Sequence, residues 1–353
     1  MSIEMTRALR MVGQSILLPD DTLVPDLAPV QPIGPLLYNV IYGSNYADKI
    51  AGTSKADMIL AQGGDDTVTA AGGSDLVDGG SGDDEIHGGS GNDKILGGSG
   101  NDALYGDSGD DTLLGGSGND VFDGGAGNNW IEGGDGDDLL TGSYGGNVLK
   151  GGNGGDLILG YADMVNEMWG GAGNDDIGGS GEIHGEDGND VVVAGMFDDT
   201  IWGGADEDLV RAAEGDDLVF GEDGDDTLMG YEGDDVIEGG AGDDILYGDF
   251  DWGSWTDGGS DTLSGNAGSD TFVYFSWGNG GADTILDFEV DADVLRLADL
   301  VDENDDGVTV GSALDGDILL TFSNGASVEL SGVQNPKIDT LAELAQFITV
   351  DFG

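Results

Sequence analysis

Large apolar residues recur along the chain at every ninth position. Ile50, Ile59, Val68, Val77, Ile86, Ile95, Leu104, Leu113 and Phe122 follow one another without a slip. Each lies in a short strand-like run, and each run is followed by a cluster of glycines. The pattern predicts short strands with one inward-pointing apolar residue apiece, separated by tight turns. One such residue per unit is too little for a core, but stacked units join these residues into a continuous one. With Gly43 as position one, 13 units run in register from 43 to 160, and 7 more run from Gly185 to 248. The register stumbles between 160 and 184, where Val165 and Ile183 stand in place of the polar position six. This reads as a break between two rolls or as a bulged coil.

The polar positions are as regular as the apolar ones. Glycine dominates positions one, two and four, where its access to positive φ permits a tight turn and leaves bare carbonyls free to face a cation. Position six is Asp48, Asp57, Asp66, Asp75, Asp84, Asp93, Asp102, Asp111, Asp120, Asp138 and Asp156 in the first block, with Asn129 and Asn147 interspersed. Asp175 falls in the stumble, and Asp190, Asp199, Asp208, Asp217, Asp226, Asp235 and Asp244 make the second block. Asp261, Asp270 and Asp283 belong to looser copies. Carboxylates and carbonyls are hard oxygen ligands, which suit calcium far better than zinc or copper. These twenty-two Asp residues are the candidate metal ligands.

Composition sharpens this reading. The chain of 353 residues carries 72 acidic against 9 basic residues, a formal net charge of −63. Such a charge opposes collapse unless counterions neutralise it. The fixed spacing of the Asp residues says where those counterions belong. Few Lys and Arg make duplex nucleic acid an unsuitable partner. The absence of Cys removes disulfides and thiolate metal sites, and no apolar run is long enough for a membrane span.

The units "GGSGDDEIH", "GGSGNDKIL" and "GGSGNDALY" (residues 79–105) resemble the RTX nonapeptide of haemolysin-type calcium-binding proteins, and the likeness extends over about residues 43–286. It implies an all-β, right-handed parallel β-roll, a β-solenoid in which two nonapeptides make a coil and calcium sits between turns of neighbouring coils. On that geometry alternate units share a side. One ladder then holds Asp48, Asp66, Asp84, Asp102, Asp120, Asp138 and Asp156; the other holds Asp57, Asp75, Asp93 and Asp111, then Asn129 and Asn147. One ion per gap gives on the order of 14 calcium ions, and binding of that scale is coupled to folding. The Asn129–Asn147 gap lacks both carboxylates and is expected to hold no calcium, with Lys150 nearby adding repulsion. The resemblance also implies secretion from a Gram-negative bacterium by the type I apparatus, which reads an uncleaved C-terminal signal.

The flanks complete the expected organisation. Residues 1–42 form a Pro-rich arm or cap, 43–159 the first roll block, 160–184 the irregular break, 185–286 the second block, and 287–353 a small C-terminal β cap with the secretion signal. Units 43 and 52, with Tyr46 and Lys55 at position four, look like capping repeats. "DGDILLTFSNGASVELSGV" reads as a hairpin about Asn324-Gly325. "DENDDGV", from Asp302, imitates the start of an EF-hand loop, but Ala313 stands where its bidentate Glu belongs. No His-Glu-x-x-His or Gly-x-Ser-x-Gly motif is present. His87 and His184 read as surface residues at unit ends, and 42 residues ahead of the repeats is below the size of a catalytic domain. The sequence thus reads as a non-catalytic, calcium-binding, extracellular or cell-surface structural or adhesive protein, with self-assembly or a surface polysaccharide as partner. The alternative is an accessory module for binding or modifying polysaccharide. Aromatic clusters near 164–169 and 250–277 serve either sugar stacking or packing.

Overall fold

The computed structural model describes residues 38–161, 164–249, 259–275, 281–298, 308–312, 317–322, 326–334, 340–345 and 349–351. Most of the expected N-terminal arm, residues 1–37, lies outside the described residues.

Each nine-residue unit contributes one strand, and among the described residues the chain alternates between a 17-stranded and a 15-stranded sheet. In the first sheet Asn39–Tyr42 pairs in parallel with Asp57–Leu60, followed by Leu76–Ser81, Lys94–Ser99 and Thr112–Ser117. Lys49–Ala51, Thr67–Thr69, Glu85–Ser90 and Ala103–Ser108 open the second. Equivalent residues lie 18 apart, so two units make one coil. The result is an all-β parallel β-solenoid of about 13 turns.

The period-two alternation of a strand decides what fills the interior. Along Glu85–Ser90 burial alternates, with Ile86 and Gly88 inside and Glu85 exposed. The position-six Asp just ahead is also buried, so each unit points Asp, an apolar residue and glycine inward. The apolar residues of both sheets, Ile59 through Leu295, join into one core with almost no exposure. Glycine prevails at position one for want of space: a Cβ on Gly115 would collide with the Asp120 carboxylate and the Phe122 ring, and the largest side chain admitted there in the regular blocks is that of Ala61, Ala70, Ala194 and Ala212. Glycine at position four is needed for conformation as well. Gly82 has φ +122°, and its missing Cβ would point into the backbone of Gly64 one coil earlier. Position two is less strictly held. Gln62, Ala71, Glu222 and Tyr231 occupy it with φ between 77° and 82°, at about 1–2 kcal/mol each.

The stumble at 160–184 interrupts neither sheet. Val148 pairs with Glu167, and Ile158 pairs with Ile177 and it in turn with Val192. A step of 19 residues is followed by one of 15, two residues short of two full coils, after which 18-residue steps resume. The polar position six there is held by Asn166 and by Gly181, not by Val165 and Ile183; Met168 and Ile183 join the apolar file.

Beyond the repeats, Val308–Ser312, Asp317–Phe322 and Ser327–Gln334 form an antiparallel meander whose last strand joins the first sheet beside Ala282–Ile285. The strands expected to flank Asn324-Gly325 therefore pair as a hairpin. The turn itself, and the acidic loop from Asp302, lie outside the described residues. Thr349–Asp351 extends the second sheet against Val294–Ala298.

Candidate metal centre

The turns stack the position-six side chains into two ladders. In the first, the backbone N–H of each Asp donates to Oδ1 of the Asp one coil later, at 2.7–3.1 Å. The series runs unbroken through Asp48, Asp66, Asp84, Asp102, Asp120, Asp138, Asp156, Asp175, Asp190, Asp208, Asp226, Asp244, Asp270 and Asp293. Asp175 therefore links the two blocks. The second ladder runs Asp57, Asp75, Asp93, Asp111, Asn129, Asn147 and Asn166, passes Gly181, and resumes through Asp199, Asp217, Asp235, Asp261 and Asp283. Position five carries an exposed counterpart running the other way. The N–H of Asn101 donates to Asp83 Oδ1 and that of Asn119 to Asn101 Oδ1, each toward the preceding coil. This second row explains the Asn/Asp preference at position five, which the sequence reading passed over, as it did Asn166 and Asp293.

Only one carboxylate oxygen is used by these bonds. Oδ2 of Asp66, Asp75, Asp84, Asp93, Asp102, Asp111, Asp120, Asp138, Asp156, Asp175, Asp190, Asp208, Asp217, Asp226, Asp235, Asp244 and Asp261 is buried without a hydrogen-bond partner. A native protein does not leave so many buried acceptors unmatched. Burial is the main cause that pushes Asp84, Asp102 and Asp120 up to about 6, Asp111 and Asp138 to about 7, and Asp208 to about 8. Neighbouring carboxylates add to it at Asp84, Asp102, Asp111, Asp138 and Asp208. A divalent cation against these oxygens removes both penalties at once.

The exceptions identify what Oδ2 lacks. Asn129 donates from Nδ2 to the carbonyl of Gly127, and Asn147 donates to that of Gly145, at 3.3 and 3.0 Å. These carbonyls belong to position four. Where Asn supplies an N–H, Asp supplies an oxygen, so in the Asp rungs acceptor faces acceptor and a positive charge is required between them. Asn166 likewise donates to Met164 O at 2.9 Å. At the N-terminal end Asp48 Oδ2 accepts from Ser44, and Asp57 Oδ2 from Thr53. Those two rungs are therefore closed by the chain itself, as a cap requires. Asp199 Oδ2 similarly accepts from Gly195 N at 3.2 Å.

The residues expected near the first break take up packing roles. Trp169 stacks on His184, His184 on Trp202 and Trp202 on Phe220, with centroids 4.3–5.7 Å apart. Lys150 Nζ lies 5.1 and 4.3 Å from the Trp130 and Trp169 rings. The ring faces are thus spent on one another and on Lys150. Lys150 pairs at the outer position of a strand, beside Glu132 and Trp169, and is not set in the turn with Asn147. His87 stacks on Tyr105 at 4.4 Å. Phe250, Trp252, Trp255 and Trp277 of the second cluster lie outside the described residues, whereas Tyr274 is buried.

A solenoid whose stacked turns bury rows of cation-seeking carboxylates defines a calcium-binding β-roll. The family model for the RTX calcium-binding nonapeptide repeat matches residues 42–77, 78–113, 114–143, 184–219, 220–251 and 255–274. The chain belongs to the RTX repeat family. Among solved structures it is similar to that of a hyperactive, Ca2+-dependent, beta-helical antifreeze protein from an Antarctic bacterium. The identity is 18%, with 72% of this chain and 78% of that one covered, at a TM-score of 0.35. No curated protein matches the chain.

Proposed function

We propose that this calcium-binding roll is a secreted, non-catalytic protein with a structural or adhesive role outside the cell or on its surface. It leaves a Gram-negative cell through the type I apparatus and folds on meeting calcium. The observation that carries this reading is the pair of ladders with their unmatched Oδ2 atoms. They make the native state conditional on calcium, which is scarce inside cells and plentiful outside. The position-six Asp residues hold the ions, with position-four carbonyls as co-ligands. Because one ladder runs on through Asp175 to Asp293, the two ladders together offer more Asp–Asp gaps than the on the order of 14 first counted.

A non-catalytic role is supported by what the polar groups are already doing. An Asp held on calcium is a poor general acid, and both histidines are engaged in ring stacks. The stacked rings of Trp169 and Trp202 offer no open face to a sugar, so the polysaccharide-module reading gains nothing from them. No helix among the described residues is long and apolar enough to cross a membrane.

The reading is tested in solution and in a secreting host. Purified chain in EGTA should give a coil circular dichroism spectrum and in millimolar calcium a β spectrum, and sedimentation in calcium should show self-association. A β spectrum in EGTA at neutral pH rejects the calcium-coupled fold, and a calcium-loaded monomer that binds a glycan array rejects the structural role. Deleting residues 287–353 should retain the protein inside a type I-competent host, and continued secretion argues against that route.

A further inference from the structure

Near its C-terminal end the roll departs from the repeat in two places that meet. The unit beginning at Gly248 carries Asp249 at position two, where the motif has glycine, and the chain then takes 26 residues to pass from Asp235 to Asp261. The next step, to Asp283, takes 22. Tyr274 stands at another position one, the inward site that only glycine or alanine holds in the regular blocks. Within these long coils, carboxylate oxygens of Asp249, Asp261 and Asp283 all lie within 4.8 Å of one another.

An acidic cluster alone is weak evidence, because it can be merely solvated. Here two of the three carboxylates are sealed from solvent. Asp261 and Asp283 are 1% and 4% exposed, and Asp261 Oδ2 is buried with no hydrogen-bond partner. Tyr274 is 7% exposed, and its hydroxyl is also buried without a partner, in the field of the same three carboxylates. A phenol oxygen is a neutral donor to a cation, and its proton is free to bind a carboxylate lone pair. Burying that hydroxyl unmatched costs about 1–3 kcal/mol, unless an ion brings it into a coordination shell.

We propose that Asp249, Asp261 and Asp283, with the hydroxyl of Tyr274, form a cation site distinct from the repeat sites, which locks the long coils at the end of the roll. Two of its four donors, Asp249 and Tyr274, lie outside the nonapeptide ligand set. All donors are hard oxygens, and three carboxylates concentrate negative charge on one point. The oxygens span up to 4.8 Å, which matches two ligands on opposite sides of an ion at about 2.3–2.6 Å and is wide for magnesium at about 2.0–2.1 Å. Calcium, or a trivalent lanthanide in its place, is the class of ion the site takes. The inference rests on the calcium reading above only for the choice of ion.

The test uses the full chain and the metals themselves. Equilibrium dialysis against calcium counts the ions bound by wild type and by Asp249→Asn, with circular dichroism confirming that both fold. The variant should bind one ion fewer, or bind it about tenfold or more weakly, with an unchanged β spectrum. Equal stoichiometry and equal affinity overturn the site while leaving the ladders untouched. If the whole chain ignores calcium, the ladder reading fails instead. Should Asp249→Asn not fold, Tyr274→Phe serves, since it removes one oxygen and keeps the ring. Terbium bound beside Tyr274 is excited through the phenol, so the variant should lose a discrete, saturable part of the sensitised emission. Emission and terbium affinity both equal to wild type overturn the proposal.

Discussion

Changing Asn147 to Asp tests whether an amide in the ladder replaces an ion. Asn147 Nδ2 donates to Gly145 O at 3.0 Å and to Asn166 Oδ1 at 3.3 Å. The substitution deletes both bonds and sets a carboxylate oxygen against the carbonyl. Each lost bond costs about 1 kcal/mol and the unmatched buried acceptor about 1–3 kcal/mol, so with the new gap empty the penalty is roughly 3–5 kcal/mol. If the new carboxylate recruits calcium, binding returns about 2.7 kcal/mol at a hundred times the dissociation constant. The variant should therefore need more calcium to fold than wild type, fold more steeply, and approach wild-type stability only at high calcium. Circular dichroism across calcium buffers gives the midpoint and slope, and dialysis gives the added ion. An unchanged midpoint, or a wild type that already holds full-occupancy calcium against Asn129 and Asn147 in a long-wavelength anomalous map, refutes the reasoning.

The pH response without metal should be the inverse of ordinary acid denaturation. Burial, with the neighbouring carboxylates, raises Asp84, Asp111 and Asp208 from 3.8 to about 6, 7 and 8, so the contribution of such rungs is full below about pH 4 and is lost as pH rises through 6–8. In EGTA, β-structure should form near pH 4 and melt toward pH 8, and a β signal that grows with pH would contradict this. In calcium the dependence should reverse, because protons compete for the same oxygens. Ala71→Gly should raise thermal stability by about 1 kcal/mol by relieving φ +79°; a lower melting temperature in calcium counts against the strain. Gly115→Ala should destabilise strongly and weaken calcium binding, since its methyl group collides with the Asp120 carboxylate, and wild-type affinity would show that the space is unused. Magnesium should replace calcium poorly in the folding assay, and equal potency would argue against large oxygen cages.

Much of this molecule was legible because the repeat states it many times. The apolar eighth position and the Asp sixth position gave the file and the ladders, since strand alternation leaves them no other side to face. What escaped notice depends on relations between coils. That Gly79 is required by the carboxylate of Asp84, and not by its own φ, is visible only when position one is seen beside position six of its own unit. Asn166 was hidden because the 19-residue step shifts it off the nine-residue grid, which then pointed to Val165. Asp48 and Asp57 look like all the other Asp residues in sequence; only the folded turns show Ser44 and Thr53 already donating to them. Lys150 was placed at the turn by its nearness in sequence to Asn147, whereas pleating carries it to the outer face.

The position-six hydrogen bond has one more implication. It forms at 2.7 Å across a 19-residue step, at 2.8 Å across 15 and at 3.0 Å across 26. The stack is therefore indexed by rungs, and the length of chain between rungs is free to vary. The ladder above and below each such step stays in register. Such a scaffold accepts foreign segments at its margins as a ruler accepts labels: the graduations stay put, and the inserted part is presented at a height set by its place in the series.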